Sequence, residues 1–396
     1  MPESKSQAHR LLIASAMAGD SFVEINNRSD DIEATIRCLD ALKSGAAEGA
    51  DLPLLDCGES GSTLRFMLPL AVTYGCGAEF FGRGRLPERP LSPLDEQMAE
   101  HGVVIERAQG EAGKILTVRG RMRGGEFTLP GNVSSQFLTG LLMALPLAEE
   151  SSRIRMTGQV ESKGYVTMTL DVLKYFGISV LREDDTYYIK GNQKYTPPAP
   201  RINVEGDWSN GAFWLVANRV QVEHWKFSDA GSHAPDMKVT GLNKDSVQAD
   251  RKIMRLIRSS RGPMIVDASQ VPDLVPIACV LGALRERTTV VENGARLRIK
   301  ESDRLRTTYE MLRSLGADIH EIEDGLLIHG TGSLRGGTVD GAGDHRIVMA
   351  AAIAAIGCKE PVTILGAEAV AKSYPGFFDD YRALGGEFTI SHARAE

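Results

Sequence analysis

The sequence predicts an α/β protein of two similar domains, each made of three repeats of a helix, helix and strands unit around a pseudo-threefold axis. Three observations predict it. A phrase recurs six times, an amphipathic helix follows each copy, and alternating runs with tight turns follow several of those helices. The phrase is a short polar turn leading into a helix of Ala, Leu, Met and other small apolar residues. It appears as "SKSQAHRLLIASAMA" at Ser4, "ESGSTLRFMLPLAV" at Glu59, "VSSQFLTGLLMALPLA" at Val133, "EGDWSNGAFWLVAN" at Glu205, "VPDLVPIACVLGAL" at Val271 and "GDHRIVMAAAIAA" at Gly343, roughly 55 to 75 residues apart.

Because the first helix of each unit is apolar nearly all round, it belongs inside, with the second helix beside it and the sheets outside. The second helices are "SDDIEATIRCLDALKSG", "SPLDEQMAEHG", "GYVTMTLDVLKYFG", "DSVQADRKIMRLIRSS", "SDRLRTTYEMLRSLG" and "PGFFDDYRALGG". Most stop at Gly, which accepts the left-handed turn after a helix. The runs "ISVLREDDTYYIKG" and "ADIHEIEDGLLIHG" alternate as strands do, and Asp324-Gly325 marks a hairpin. The Pro-rich stretch from Pro197 to Asp207 separates the third unit from the fourth, so the expected domains are 1–203 and 204–396. Three units around an axis turn the polar starts of their central helices the same way. Free N–H groups and the helix dipole favour anions there, and two such ends facing across a hinge make a cleft for an anionic ligand.

Totals exclude several classes. A chain of 396 residues is too long for one core, and 42% hydrophobic with 24% charged residues is the composition of a folded globular protein. The small-apolar run from Ile347 to Gly357 is too short to cross a bilayer. A net charge of -7 disfavours nucleic acid or an anionic membrane as partner, so any anion must be held by a local cluster. No secretory or transit pattern opens the sequence, and the cytoplasm is the expected location. The cysteines, Cys38, Cys57, Cys76, Cys279 and Cys358, are scattered with no CxxC spacing, which indicates neither a disulfide framework nor zinc.

The polar residues at the helix starts form one inventory. Lys5, Ser6 and Arg10 begin the first, Gly61 and Arg65 the second, and Ser134, Ser135 and Gln136 the third. Asp273 lies in the fifth, and His345 with Arg346 opens the sixth. Beside them stand Arg85 in "GRGRLPERP", Ser162 and Tyr165 in "ESKGY", Lys372 in "AKSYPGF", and Lys300, Glu301, Asp303 and Arg304 in "IKESDRLR". On a purely structural reading each is an independent cap or surface charge, with Ser302 or Asp303 capping the fifth unit's second helix. Arg89, Arg298, Arg306 and Asp303 are expected to be structural, and Trp208 and Trp214 to be core. Asp30 and Asp31 start a helix, where Asp31 could also reach the cleft.

Eight ordered stretches, "SKSQAHRLLIASA", "CGESGSTLRFMLPL", "SSQFLTGLLMALPLA", "EGDWSNGAFW", "DASQVPDLVP", "LRIKESDRLR", "DHRIVMA" and "AVAKSYPGFF", resemble the 5-enolpyruvylshikimate-3-phosphate synthase family nearly end to end. The resemblance implies an inside-out α/β barrel in each domain and a cleft that closes on shikimate 3-phosphate and phosphoenolpyruvate. It implies transfer of the enolpyruvyl group to the 5-hydroxyl with release of phosphate, by a monomer without metal or organic cofactor, and it makes glyphosate an inhibitor to test. By this resemblance Lys5, Gly61, Arg85, Gln136, Arg304, Arg346 and Lys372 surround phosphoenolpyruvate. Ser6, Arg10, Ser134, Ser135, Gln136, Ser162 and Lys300 hold the phosphorylated ring, with Tyr165 beside it. Asp273 is the base on the hydroxyl, Glu301 the proton donor to the methylene, and Lys5 a partner in the proton work. Cations suit the task because charge-assisted hydrogen bonds are about twice as strong as neutral ones, so one pocket can hold two anions that repel each other.

The sequence departs from the family pattern in places. It begins almost at the first motif, where members carry an additional strand, and Glu3 stands where a small residue or Pro is usual. The hairpins expected after the second helix of units one and four are absent. Arg296 takes a place where some members have an Asn that contacts shikimate. Two alternatives stand beside this reading. One is the sister transferase acting on UDP-N-acetylglucosamine, whose cysteine-bearing loop is not evident here; the other is a non-catalytic anion-binding relative of the same fold.

Overall fold

Six helix pairs run through the chain, as the six repeated phrases require. The structure, a computed structural model, describes residues 1–19, 22–45, 51–225, 237–259 and 262–391, with side chains described for all of these except 222–225. The pairs are α1 (Lys5–Ala18) with α2 (Asp30–Ser44), α3 (Gly61–Thr73) with α4 (Leu94–Glu100), and α5 (Ser135–Ala144) with α6 (Lys163–Tyr175). The second half follows with α7 (Trp208–Trp225) and α8 (Ile253–Arg258), α9 (Val275–Ala283) and α10 (Arg304–Ser314), and α11 (His345–Ala354) and α12 (Phe377–Ala383). Every residue of α9 and of α11 is buried, which is where helices without a polar face must go. The amphipathic α10 buries one side only, and Asp303 caps it by accepting the backbone N–H of Arg306 at 3.1 Å. Gly102, Gly177, Gly316 and Gly385 follow their helices with positive φ.

The strands repeat one pattern. In the second unit Leu54–Asp56 and Gly77–Phe81 pair in parallel, and Lys114–Arg119 then Val104–Arg107 add antiparallel. Gly125–Pro130, Ser152–Thr157, Thr186–Ile189 and Val180–Glu183 do the same in the third, and Met264–Asp267, Thr288–Glu292, Gly325–His329 and Asp318–Ile322 in the fifth. A parallel pair needs a crossover, and the central helix of each unit supplies it. Among the described residues no strand lies between α2 and Leu54 or between α8 and Met264, in line with the two missing hairpins. The fourth unit's second helix is also shorter than expected. Residues 245–248 stay outside it, and Ala249–Lys252 forms a 3-10 turn ahead of α8.

Buried apolar residues fall into two clusters, one from Leu11 to Ile202 and one from Trp208 to Phe377. Between them the chain crosses at two points. These are Glu3–Ser4 and Glu205–Gly206, where Glu3 forms an antiparallel bridge with Gly206 and Ser4 N–H donates to the Glu205 carbonyl at 2.7 Å, while Phe22–Glu24 pairs in parallel with Arg201–Asn203 inside the first half. The central helices therefore start at the junction, where their N-termini face the opposite half.

Candidate active site

The start of α10 carries the centre of the site. Arg304 is almost fully buried and its guanidinium joins three carboxyls: Nε donates to Asp344 Oδ2 at 2.9 Å, Nη1 to Asp273 Oδ1 at 2.8 Å, and Nη2 to Glu301 Oε2 at 2.7 Å. Asp344 in turn caps α11 through the Arg346 N–H at 2.9 Å. Two helix starts are thereby locked to one cation, and both expected catalytic carboxyls are fixed by it. Arg304, expected to surround phosphoenolpyruvate, here bonds three carboxylates and so fixes their positions.

The first half reaches this centre from the other side. Tyr165, one turn into α6, donates from its hydroxyl to Asp273 Oδ2 at 3.1 Å, and Arg89 Nη1 stands 3.6 Å from Glu301 Oε1. Lys372 Nζ bonds Glu59 Oε2 and the Gly343 carbonyl, each at 2.6 Å, again across the junction. Ser162, at the N-cap of α6 with a left-handed backbone, donates its N–H to the Ser269 carbonyl at 2.8 Å and receives Arg296 Nη2 on its hydroxyl. Lys5 Nζ bonds Asp31 Oδ2 at 2.7 Å, so Asp31 does reach the cleft.

On α3 and α5 a second anion-ready group is assembled. Gly140 lets the two helices approach closely, since a Cβ there would sit 2.4 Å from the Arg65 carbonyl oxygen. Arg65 then meets Gln136 Oε1 at 3.2 Å, and Gln136 Nε2 reaches Ser62 at 2.9 Å. Ser134 caps α5 by accepting the Gln136 N–H, and Ser135 is half-buried at its first turn. Gly61 faces the guanidinium pair, a Cβ at that position lying 2.5 Å from Arg89 Nη1 and 2.7 Å from Arg65 Nη1.

The electrostatics are those of a site short of anions. Arg65 Nε, Arg89 Nε, Arg346 Nε and Arg296 Nη1 are buried with no hydrogen-bond partner. Buried donors are rarely left so, and their concentration at one place calls for an acceptor from outside the protein. Burial favours the neutral form of Glu301, yet Arg304, Arg89 and Lys300 outweigh it and hold that carboxyl well below its ordinary range. Burial is likewise overcome at Asp273, lowered by Arg346, Arg304 and Lys300. Lys300 is pushed down to about 8 by burial, with Arg296 and Arg304 adding to it. Lys5 is raised, Asp31 and Glu301 outweighing its burial.

Two further expected residues sit elsewhere. Arg85 is exposed at the start of the 3-10 turn Leu86–Glu88, and its side chain makes no hydrogen bond or ion pair among the described residues. Arg89, expected to be structural, holds the place beside Glu301 instead. Arg10 turns into the core, donating from Nε to Thr169 Oγ1 at 2.8 Å, from Nη2 to Thr139 Oγ1 at 3.2 Å and from Nη1 to the Ser6 carbonyl at 2.6 Å. It braces α1 against α5 and α6, and burial brings it down to about 10. Ser6 is half-buried beside it.

A family model described as EPSP synthase (3-phosphoshikimate 1-carboxyvinyltransferase) matches residues 1–381. A 3-phosphoshikimate 1-carboxyvinyltransferase of Clostridium acetobutylicum is 40% identical, the match covering 98% of this chain and 94% of the relative. The chain belongs to the EPSP synthase family. The corresponding protein of Clostridium perfringens is 38% identical over 98% of this chain and 95% of its own. An EPSP synthase structure from Acinetobacter baumannii superposes with a TM-score of 0.69 at 21% identity, covering 99% of this chain and 96% of that one, which speaks for the fold.

For an EPSP synthase the sequence reading missed Asp344 and Glu59 and took Arg89 as structural, while it named Asp31 as able to reach the cleft. Asp344 was legible as the residue before "HR" at a helix start, and Asp31 as the second acid of "SDD". Glu3, which stands where a small residue or Pro is usual, has its carboxylate held by Asn26 and Asn27, accepting the Asn26 N–H at 3.0 Å. Arg298 and Arg306 are surface residues paired with Glu321, as expected. A larger groove of about 1070 Å³, lined by Trp208, Lys244, Arg251 and Arg255 among others, holds none of the site residues. Among the described residues no cluster of His, Cys, Asp and Glu could hold a metal ion, and no helix is long and apolar enough to cross a membrane.

Proposed function

We propose that the cleft between the two halves binds shikimate 3-phosphate and phosphoenolpyruvate side by side, and that the residues gathered on Arg304 carry the proton transfers. The chain transfers the enolpyruvyl group of phosphoenolpyruvate to the 5-hydroxyl of shikimate 3-phosphate and releases phosphate. The observation that carries the residue assignment is Arg304 bridging Asp273 and Glu301 amid buried cations that lack acceptors.

The hydroxyl oxygen attacks the central carbon of phosphoenolpyruvate while its proton passes to Asp273. Glu301 gives a proton to the methylene carbon, and the tetrahedral adduct forms. In the second half Glu301 takes a proton back from the new methyl group, the carbon–oxygen bond to phosphate breaks, and the enol ether remains. Asp273 is ionised and ready as a base, with Tyr165 setting its orientation. Glu301 is ionised in the unliganded site, which is the wrong state for a donor. The anions of phosphoenolpyruvate correct this, since each one that settles on Arg89, Arg346 or Lys372 cancels part of the field that holds the proton off. Lys5, hydrogen-bonded to Asp31 and electrostatically coupled to Glu301, shares the proton work.

Ser134, Ser135, Gln136, Ser162 and Lys300 hold the phosphorylated ring. Gly61 leaves the room that Arg65 and Arg89 occupy, where phosphoenolpyruvate or the competing anion glyphosate would lie. We take residues 1–203 and 204–396 as the two domains, each with one of the apolar clusters. We take the protein to be a monomer of the cytoplasm, a location with which the five unpaired cysteines agree. The decisive experiment measures phosphate release by purified protein with phosphoenolpyruvate and either shikimate 3-phosphate or UDP-N-acetylglucosamine. Release with the former alone is expected; release with neither would remove the reading.

A further inference from the structure

His9 has no task in the mechanism above, yet it is buried one turn beyond Lys5 on the same side of α1. Asp31 and Thr35 stand in the same relation on α2. The two helices therefore meet in two rungs: Lys5 Nζ bonds Asp31 Oδ2 at 2.7 Å, and His9 Nδ1 lies 2.7 Å from Thr35 Oγ1. From Thr35 the string of polar atoms continues into α3, with 2.7 Å to Thr63 Oγ1 and 2.8 Å from there to Ser60 Oγ at the N-cap. Thr63 Oγ1 also donates to the Asp31 carbonyl at 3.4 Å, which ties the string to the residue of the outer rung. His9, Thr35, Thr63 and Ser60 are each at most 1% exposed, so a member that is removed leaves its neighbour short of a partner in the core. The ring is held by Nδ1 and by Phe66, which it meets edge-on at 6.3 Å, since Nε2 is buried with no partner. Burial, with Lys5 and Arg10 adding to it, keeps His9 well below its ordinary range and the ring neutral.

We propose that His9 is a positioning residue: with Thr35, Thr63 and Ser60 it sets the spacing of α1, α2 and α3 at which Asp31 engages Lys5. The inference rests on the place given above to Lys5 in the proton work. A lysine side chain carries about 2 kcal/mol of rotamer entropy, so one carboxylate holds it still only where that carboxylate is itself fixed. Asp31 lies in the first turn of α2, and the buried inner rung fixes that helix against α1. Which way the protons run along the string depends on the ring's tautomer, and either run joins the same atoms. Lys5 reports the outcome through its own proton. Burial lowers it, Asp31 and then Glu301 outweigh burial, and Arg346 opposes them. His9 and His345 stay neutral beside it, and Asp207 accepts its backbone N–H at 3.0 Å. A retreat of Asp31 therefore lowers Lys5 and raises its share of free amine at a given pH.

The test treats the wild type, His9→Leu, His9→Asn and Thr35→Val with acetic anhydride at about pH 9, reads acetylation of Lys5 and Lys300 by peptide mass spectrometry, and measures kcat alongside. In His9→Leu, Lys5 is expected to label at least about threefold faster, because one pKa unit changes the free amine tenfold. Lys300, buried in the other half, labels at the wild-type rate, and kcat falls roughly tenfold as Lys5 loses its place. His9→Asn, whose amide offers both a donor and an acceptor near the position of Nδ1, restores both readouts. Thr35→Val cuts the inner rung from the other side with almost no change of shape, raises Lys5 labelling in the same way, and serves if His9→Leu folds poorly. Wild-type labelling of Lys5 in the folded Leu and Val variants overturns the proposal. So do equal gains at Lys5 and Lys300, which mark a general loosening, and His9→Asn behaving as His9→Leu does, which leaves the ring only its volume. Asp31→Asn checks the reading underneath: faster labelling of Lys5 with unaltered kcat removes Lys5 from the proton work instead, so the two failures are told apart.

Discussion

Glu301 and Arg89 show how one side chain's role follows from its neighbours. A carboxyl touched by Arg304 and approached by Arg89 is held as an anion, so on the proposed mechanism Glu301 would act only in the loaded site, where a substrate anion relieves it. Glu301→Gln keeps the hydrogen bond to Arg304 but cannot cycle a proton. General acid–base groups contribute typically 10² to 10⁴ in rate, so kcat should fall by roughly that factor while shikimate 3-phosphate binding by calorimetry changes less than about threefold. Unaltered kcat would take Glu301 out of the proton path. Gly61→Ala tests the adjacent packing. Its methyl would meet Arg89 Nη1 at 2.5 Å, and the guanidinium must move away from Glu301. The KM for phosphoenolpyruvate should rise about tenfold, with the KM for shikimate 3-phosphate nearly unmoved. At this scale the sequence was legible where a residue type had one possible task and silent where two stood together. "GRGRLPERP" offers Arg85 and Arg89, and only the turn Leu86–Glu88, which carries no periodicity to read, decides that Arg89 faces inward.

At the scale of elements, the six helix pairs were legible because apolar composition and polar caps recur at fixed offsets, and each pair formed. What the pattern could not give is where a helix starts when long-range hydrogen bonds hold the residues before it, as Glu205 holds Ser246 and Gln248 ahead of the shortened α8, or which caps cross-link two helices, as Asp344 does. The turn carrying Arg296 and Lys300 into α10 has its own consequence. Lys300 is half-buried among cations and sits at about 8, so at neutral pH it is mostly protonated in the free enzyme. The cation is the form that binds a phosphate. As pH rises through 8 the free enzyme loses that proton, and the KM for shikimate 3-phosphate should climb toward about tenfold per pH unit, because the bound anion must first restore it. The phosphate is already a dianion in this range and adds no slope of its own. Lys300→Arg, charged throughout, should flatten the profile between pH 7 and 9.5. A wild-type KM constant over that interval would mean that Lys300 does not bind the phosphate.

For the molecule as a whole, the two apolar clusters are separate and the contacts between halves are mostly polar. Tyr165 with Asp273, Arg89 with Glu301, Lys372 with Glu59, and Arg296 with Glu161 all cross the junction. Of these pairs Lys372 with Glu59 is the most exposed, and it is worth at most about 1 kcal/mol after screening, a factor near five in the balance of closed and open forms. On the proposed assignment shikimate 3-phosphate would touch groups of both halves, Ser162 on one and Lys300 with Asp273 on the other, so its binding would close the cleft that phosphoenolpyruvate needs. The ligand that binds second is spared that cost, and the coupling must be reciprocal. Calorimetry with glyphosate as the non-reacting anion should find it binding at least about tenfold tighter when shikimate 3-phosphate is present, and shikimate 3-phosphate tightened by the same factor in return. Equal affinities in the presence and absence of the first ligand would mean that the halves close without the substrates' help, and the ion pairs across the junction would then have to be far stronger than their exposure allows.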